Sequence, residues 1–216
     1  MSSIKRLLLL GLCVAAVCAP APAHAQALYE RFVQAVAVDR SDEVAALLAR
    51  GIDPNTVDPE GNPALVVAAR SGFEPTVDVL LRAGAKVNAR NTYGDSAVMV
   101  ASLSGYLPIV RKLMAKGAEF NHRGWNPLIY AATNGHSDVA RALLDAGADV
   151  NAQGPNGTSA LMMAVRGGHA DTVELLLERG ADVSLRNQNG ATALTWAHRA
   201  GNDALESLLR RRGARN

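Results

Sequence analysis

Residues 126–151 read NPLIYAATNGHSDVARALLDAGADVN, and the stretch that begins at Ser159 reads SALMMAVRGGHADTVELLLERGADVS. Both copies contain a Gly-His pair, a valine followed by a Leu-Leu pair, and a closing Gly-Ala-Asp-Val. Self-similarity at a fixed period of roughly 20 to 50 residues is the sequence signature of a repeat architecture. The chain is therefore interpreted as an array of short structural units.

Glycines mark the same period along most of the chain. They form three series, and within each series neighbouring glycines are as far apart as Gly61 and Gly94. One step in each series is shorter by three positions. The series are Gly61, Gly94, Gly124, Gly157 and Gly190, then Gly72, Gly105, Gly135, Gly168 and Gly201, then Gly51, Gly84, Gly117, Gly147, Gly180 and Gly213. Chance does not place the same single deletion in three registers, so these glycines mark a true repeat.

This pattern resembles the ankyrin repeat, in which G-x-T-P-L-H-x-A-A-x-x-G-H is followed by a V-x-x-L-L helix and by G-A-D-V-N. The ankyrin repeat also has the same period, about 33 residues. The resemblance implies an all-α fold, an ankyrin-repeat α-solenoid of helix-turn-helix repeats joined by short hairpin fingers. Each repeat then exposes apolar surface that only its neighbours cover. The predicted segments are 26–58 for a degenerate N-terminal capping repeat, 59–91, 92–121, 122–154 and 155–187 for interior repeats, and 188–216 for a C-terminal capping repeat.

The repeated residues also have local physical reasons. Pro127 is predicted at the first helical position, where its missing N–H costs nothing, and Gly147 suits the left-handed position that ends a helix. His136 and His169 fall where the ankyrin repeat carries histidine, so we expect structural roles for them. Polar residues that can accept hydrogen bonds from the first N–H groups of a helix are Ser96, Asn126, Ser159 and Thr192. The residues that replace the histidine of T-P-L-H are Val66, Met99, Ile129, Met162 and Thr195. Apolar packing must therefore substitute for the hydrogen bonds of that histidine.

The N-terminal segment, residues 1–25, is predicted to be a cleavable secretory signal. Lys5 and Arg6 form a positive start, residues 7–18 are apolar, and Ala23-His24-Ala25 places small residues before Gln26. The apolar stretch is shorter than the roughly 20 residues of a membrane-spanning helix. A buried helix and an uncleaved anchor are the alternatives, and a lipoprotein is disfavoured because large residues precede both cysteines. We expect a soluble protein of a bacterial periplasm, mature from Gln26.

Removal of this signal changes the composition. Of 22 basic and 20 acidic residues only Lys5 and Arg6 leave, so the formal net charge falls from +2 to zero. Both cysteines leave as well, which excludes a disulfide framework, a thiol nucleophile and a cysteine-based zinc site. Glu60 and Asp95 lie in separate repeats with no paired partner suggested by their spacing. We therefore expect no catalysis, no cofactor and no bound metal.

The C-terminal repeat ends in a basic run that contains Arg210, Arg211 and Arg212. Such a run is compatible with binding to nucleic acid or to an acidic membrane surface. Cations are also favourable at the C-terminal end of a helix, where they offset the helix dipole. Because the mature chain is neutral, we interpret the run as a solvated cap and expect neither nucleic-acid binding nor membrane insertion.

In ankyrin arrays the partner usually lies in a groove formed by the fingers and the first helix of each repeat. The residue after the fourth motif residue faces this groove, and it is apolar in every copy: Val67, Val100, Tyr130, Met163 and Trp196. Tyrosine and tryptophan are common anchors of interfaces, and exposed apolar surface marks binding sites. The alternative is that these side chains are buried between neighbouring helices.

The shorter step in the glycine series places the deletion in one finger. Asn121 to Gly124 spans three positions, whereas Asn151 to Gly157 spans six. We expect the shorter finger to leave a notch that forms the centre of recognition. The predicted partner-binding residues are Tyr93, His122, Arg123, Trp125, Tyr130, Met163 and Trp196.

The sequence thus predicts a monomeric, exported protein that acts by binding another protein. One class of function is an adaptor or accessory factor for a periplasmic enzyme. The other is an immunity-type inhibitor of a toxin that acts in the periplasm. A hydrolase hidden in the solenoid is a third, disfavoured class.

Overall fold

A computed structural model describes residues 22–122 and 124–215, and this part of the chain forms twelve α-helices and no β-strand. The all-α solenoid predicted from the repeat is confirmed. The helices are α1 (Pro22–Ala37), α2 (Ser41–Ala49), α3 (Ala64–Ser71), α4 (Glu74–Arg82), α5 (Ala97–Ser104), α6 (Leu107–Ala115), α7 (Pro127–Thr133), α8 (Ser137–Asp145), α9 (Ala160–Gly167), α10 (Ala170–Glu178), α11 (Ala193–Arg199) and α12 (Asp203–Arg211).

The helices form two layers. Each odd-numbered helix is the first helix of a pair and contacts the first helices before and after it, from α1 to α11. The second helices α2, α4, α6, α8 and α10 contact one another in the same order. The connections between pairs project as fingers, three of which contain an isolated antiparallel bridge: Val57–Pro63, Arg90–Ser96 and Gln153–Ser159.

Small and aliphatic side chains fill the space between the layers. One alanine of each first helix after α1 is fully buried, which lets the helices of neighbouring repeats approach closely; these are Ala68, Ala101, Ala131, Ala164 and Ala197. The residues that replace the family histidine are also buried in four repeats: Val66, Met99, Ile129 and Met162. Apolar packing therefore does replace the histidine hydrogen bonds in these repeats.

Side chains also connect each repeat to the next. The Oδ1 atoms of four asparagines accept backbone N–H hydrogen bonds across repeats, Asn55 from Lys86 at 2.7 Å, Asn88 from Glu119 at 2.8 Å, Asn121 from Asp149 at 2.9 Å and Asn151 from Asp182 at 2.8 Å. Nε2 of His136 lies 3.0 Å from the carbonyl oxygen of Leu103, and Nε2 of His169 lies 3.0 Å from that of Thr133. The structural role predicted for both histidines is confirmed.

The predicted helix caps are present in three of four cases. The side-chain oxygens of Asn126, Ser159 and Thr192 accept hydrogen bonds from the N–H groups of the third helical residues at 3.0, 3.3 and 3.2 Å. Ser96 also occupies the N-cap position of α5 in a capping box with Met99, but its buried Oγ forms no hydrogen bond of ordinary geometry among the described residues. In this box the backbone N–H of Ser96 faces the Sδ atom of Met99, 3.5 Å from the nitrogen.

The N-terminal repeat departs from the others at its turn. Asp39 has a φ of +54°, a left-handed conformation that the equivalent positions of later repeats give to glycine. Its carboxylate accepts a hydrogen bond from the Thr76 hydroxyl at 2.7 Å, which connects this repeat to the next. The predicted signal lies outside the described residues up to position 21. None of the helices in the described part of the chain is long and apolar enough to cross a membrane.

Candidate protein-binding groove

The fingers and the first helices share one side of the array, which we call the groove. Its fingers are residues 57–63, 90–96, 121–126, 153–159 and 186–192. The exposed sides of α3, α5, α7, α9 and α11 form its floor. Most of the predicted partner-binding residues belong to two adjacent fingers and to α7.

The finger at residues 90–96 holds an exposed ring on a fixed backbone. Oδ1 of Asn91 accepts hydrogen bonds from the N–H groups of Tyr93 at 3.0 Å and Asp95 at 2.9 Å. The Arg90 guanidinium donates to the carbonyl oxygen of Gly94 at 2.7 Å. The Tyr93 side chain is nevertheless 86% exposed. An exposed ring on an ordered turn loses little freedom when a partner covers it.

The shortened finger at residues 121–126 is built differently. Its described residues form no antiparallel bridge. Trp125 is 37% exposed, and its ring meets the Tyr130 ring edge to face, with centroids 6.2 Å apart and planes at 64°. A Cβ atom on Gly154 would lie 3.6 Å from Cε3 of Trp125, so the indole also rests against the backbone of the next finger.

Tyr130 connects this aromatic pair to the preceding finger. Its hydroxyl donates a hydrogen bond of 2.6 Å to Oδ1 of Asp95. Partial burial, together with this bond to a carboxylate, raises the pKa of the Tyr130 phenol well above its ordinary value. The spacing of the sequence did not indicate this partner of Asp95, because the fold brings together residues 35 positions apart. The hydrogen bond fixes the ring that supports Trp125.

The expected notch is present on both sides of the shortened finger. A cavity of about 640 Å³ lies towards the following finger, between His122, Gly124, Gln153 and Pro155. A second one of about 260 Å³ lies towards the preceding finger and is lined by Arg90, Tyr93, Asp95, Met99, His122 and Trp125. We call these the large cavity and the aromatic cavity, and half-buried His122 borders both. Arg123 lies outside the described residues.

A family model described as "Ankyrin repeats (3 copies)" matches residues 32–124, 91–154 and 147–216. The chain belongs to the ankyrin-repeat family. A search of curated proteins found no match to it. Ankyrin-repeat proteins are generally non-catalytic modules that bind other proteins, and this family membership indicates a protein–protein interaction module here.

Two predicted members of the ankyrin groove are buried instead. Met163 and Val100 are each only 4% exposed, and both belong to the apolar core between the first helices. Unbranched or short aliphatic side chains fit within that interface, whereas the Tyr130 ring remains partly exposed. The packing alternative therefore holds for Val100 and Met163, and we leave Met163 out of the accessible surface.

Trp196 and Val67 are half-buried at opposite ends of the groove. The Arg166 guanidinium lies 5.8 Å from the centre of the Trp196 ring, in the range of a cation–π contact. Trp196 is thus in a separate cluster from Tyr93, Trp125 and Tyr130. The structure brings those three residues together with His122 and leaves Trp196 two repeats away.

Sequence reasoning missed Arg90 and Asp95 as parts of the aromatic cavity. Both residues flank Tyr93 within one finger, which is the signal that points to them in hindsight. In the described part of the chain no group of three or more His, Cys, Asp or Glu side chains is placed to hold a metal ion. The chemistry that the site offers is aromatic surface, one guanidinium and a carboxylate that already accepts a hydrogen bond.

Proposed function

We propose that this ankyrin-repeat protein is exported to a bacterial periplasm and serves there as a non-catalytic adaptor or accessory factor of a resident enzyme. The enzyme would bind in the groove at Tyr93, Trp125 and Tyr130. The observation that carries the proposal is the cluster of these rings beside the shortened finger: Tyr93 and Trp125 line the aromatic cavity, and the Tyr130 ring packs against Trp125. A protruding loop of a partner fits such a notch.

The three rings are suited to anchor a partner because two of them are held by side-chain contacts and the third stands on a fixed backbone. Tyr130 is hydrogen-bonded to Asp95, Trp125 rests on Tyr130, and the backbone of Tyr93 is fixed by Asn91. Large aromatic side chains provide much contact area for few rotatable bonds, and they are enriched among the residues that dominate binding energy. A groove organised in advance loses little conformational entropy on binding.

The N-terminal sequence supports export. A positive start, an apolar stretch and the Ala23-His24-Ala25 sequence have the order of a cleavable signal. From His24 onward the first buried side chain of α1 is that of Phe32, while His24 and Ala25 are exposed. Cleavage after Ala25 would therefore leave the packed part of the helix intact. Intact mass of the protein recovered from the periplasm tests this step, and retention of residues 1–25 there would contradict it.

Partner capture tests the binding surface. The mature chain, residues 26–216, is immobilised and exposed to periplasmic extract in three forms, namely the wild type, Tyr93→Ala, and Arg111→Ala as a control. Arg111 is exposed on the second helix α6, outside the groove. We expect one enzyme to be retained by the wild type and by Arg111→Ala but not by Tyr93→Ala. Equal retention by all three forms would place binding elsewhere.

The activity of the captured enzyme tests the role. An accessory factor raises or preserves that activity when the purified mature chain is added. A fall in activity, together with protection of cells that express the captured enzyme, would identify an immunity-type inhibitor instead. Turnover by the isolated mature chain would contradict the non-catalytic role.

A further inference from the structure

A third cavity lies at the N-terminal end of the array, away from the notch. It has a volume of about 130 Å³ and lies between α1 and the first finger, residues 57–63. Its apolar wall consists of Phe32, Val33, Val36 and Ala37 of α1 together with Val67 of α3. We call it the N-terminal cavity.

On the α1 side the cavity is lined by apolar side chains, and Ala37 at the end of the helix contributes only a methyl group. In the repeat register, Ala37 is equivalent to Arg70, Leu103, Thr133, Arg166 and Arg199. In the next repeat, Nη2 of Arg70 reaches Oδ1 of Asn62 in the first finger at 3.1 Å. Arg70 thus reaches the finger that precedes its own helix, whereas on the other side of the cavity α1 contributes only apolar side chains.

Two carboxylates line the finger side of this apolar cavity. The Asp58 carboxylate accepts hydrogen bonds from the backbone N–H of Asn62 at 2.7 Å and from its side-chain amide at 2.9 and 3.1 Å. These donors are neutral, so they hold the carboxylate in place without cancelling its charge. Glu60 is exposed, and neither acid forms a salt bridge within the described part of the chain. The Arg70 guanidinium binds the Asn62 amide oxygen rather than either carboxylate.

We propose that the N-terminal cavity binds an aliphatic side chain of a peptide segment in which the next residue is lysine or arginine. An engineered apolar cavity of roughly 150 Å³ is large enough to bind benzene, so this one has room for a leucine-sized side chain. The cation that follows would lie against Asp58 and Glu60, neither of which forms an ion pair with a described residue. This site is distinct from the notch and does not depend on the partner proposed for it.

A peptide titration monitored by amide NMR of the mature chain, residues 26–216, tests this proposal. The probe is acetyl-Gly-Leu-Lys-amide, and the matched peptides are acetyl-Gly-Leu-Glu-amide and acetyl-Gly-Gly-Lys-amide. We expect saturable shifts in residues 32–37 and 57–63 with the probe. The Glu peptide should bind about fivefold more weakly, as expected for loss of an exposed ion pair. The Gly peptide should bind at least about tenfold more weakly, because it buries no aliphatic side chain.

Variants of the protein separate the apolar part of the site from its charge. Ala37→Leu fills the cavity with the chain's own side chain and should reduce probe affinity by at least about tenfold, whereas Glu60→Gln should reduce the preference for the Lys peptide over the Glu peptide. Tyr93→Ala, in the other site, should leave probe binding unchanged. If Ala37→Leu does not fold, Glu60→Gln still decides the charge preference.

Three results of the peptide titrations would overturn the proposal, and a fourth comes from the protein alone. They are shifts that spread over the whole array, equal affinities for the Lys and Glu peptides, and probe binding by folded Ala37→Leu as tight as by the wild type. Shifts in the same residues on dilution of the protein without peptide would indicate that a second copy occupies the cavity, and would also overturn it.

Discussion

The full finger at residues 153–159 and the shortened finger at residues 121–126 precede neighbouring repeats, yet they expose different surfaces. The full finger is closed by the Gln153–Ser159 bridge, and the backbone N–H of Gly154 donates to the carbonyl oxygen of Thr158 at 2.9 Å. The groove residue that follows it, Met163, is buried. The full finger therefore presents mainly backbone and polar side chains.

The shortened finger lacks three positions of the full finger, and aromatic rings occupy the space beside it. Trp125 is partly exposed there and lines the aromatic cavity, and the partly exposed Tyr130 ring packs against it. Its asparagine, Asn121, still bonds to the next repeat through Asp149. In a repeat array each unit depends mainly on its neighbours, so a deletion confined to a finger changes the surface while the core continues. The difference between the two fingers therefore indicates where this protein differs from a regular repeat array, which is at the shortened finger.

The largest expected effect is on stability, at the buried groove position after the full finger. Met163→Ala should lower the free energy of unfolding by about 3 kcal/mol, because it removes a buried side chain from the packed core. Tyr93→Ala, an exposed position, should change it by less than about 0.5 kcal/mol. Urea unfolding of both variants measures this. Similar values for the two would mean that Met163 belongs to the accessible surface after all.

The next effect is on binding, at the shortened finger. Trp125→Ala should weaken partner binding by about 2 kcal/mol, roughly 30-fold in affinity, if the indole is an anchor. The free energy of unfolding should fall by only about 1 kcal/mol, because a partly exposed side chain leaves no large cavity when it is removed. A binding assay with the captured enzyme, run beside urea unfolding, measures both. A large loss of stability without loss of affinity would assign Trp125 to the core.

Two glycines of the full finger sharpen the comparison further. Gly157 has a φ of +75°, and an added Cβ would meet the Asn187 backbone at 3.0 Å, so Gly157→Ala should destabilise the protein by about 2 kcal/mol. Gly154 has no positive φ, and an added Cβ makes only ordinary contacts. Gly154→Ala should therefore change stability by less than about 0.5 kcal/mol. Thermal or urea unfolding of this pair checks it, and equal losses would contradict the finger geometry.

The smallest effect depends on pH. It tests the hydrogen bond between Asp95 and Tyr130, which belongs to the repeat after the shortened finger. Because the pKa of Tyr130 is raised in the folded protein, the folded state keeps its phenol proton above the unfolded value of about 10. The stabilisation is thus fully present below about pH 10 and is lost as the pH rises further. Between about pH 9 and 11 it should fall by about 1 kcal/mol.

Tyr130→Phe is the control for this dependence, since it removes the titrating group. Urea unfolding at the two pH values should show a smaller decrease for Tyr130→Phe than for the wild type. In an absorbance titration, one of the four tyrosines should ionise later than the others in the wild type. Identical pH dependence in the two proteins would mean that the Tyr130–Asp95 hydrogen bond is not formed in solution.

The repeat period predicted much of the fold and part of the candidate site. The helix caps at Asn126, Ser159 and Thr192 follow from local hydrogen bonding, and the place of the notch follows from one deletion. The exposure of each apolar groove residue could not be predicted in the same way. Met163 and Tyr130 occupy the same register position, and only the packing against neighbouring helices separates a buried side chain from a partly exposed one.

The sequence by itself determined the type of structural unit and its recurrence along the chain, because the signals of the unit are local and recur once in every repeat. Only the tertiary structure decided which side chains meet across repeats. The bond between Tyr130 and Asp95 and the N-terminal cavity between Ala37 and the first finger both join segments distant in the chain. Such contacts depend on how closely neighbouring repeats approach and on which side chain is long enough to cross between them. No local pattern of residues encodes that distance.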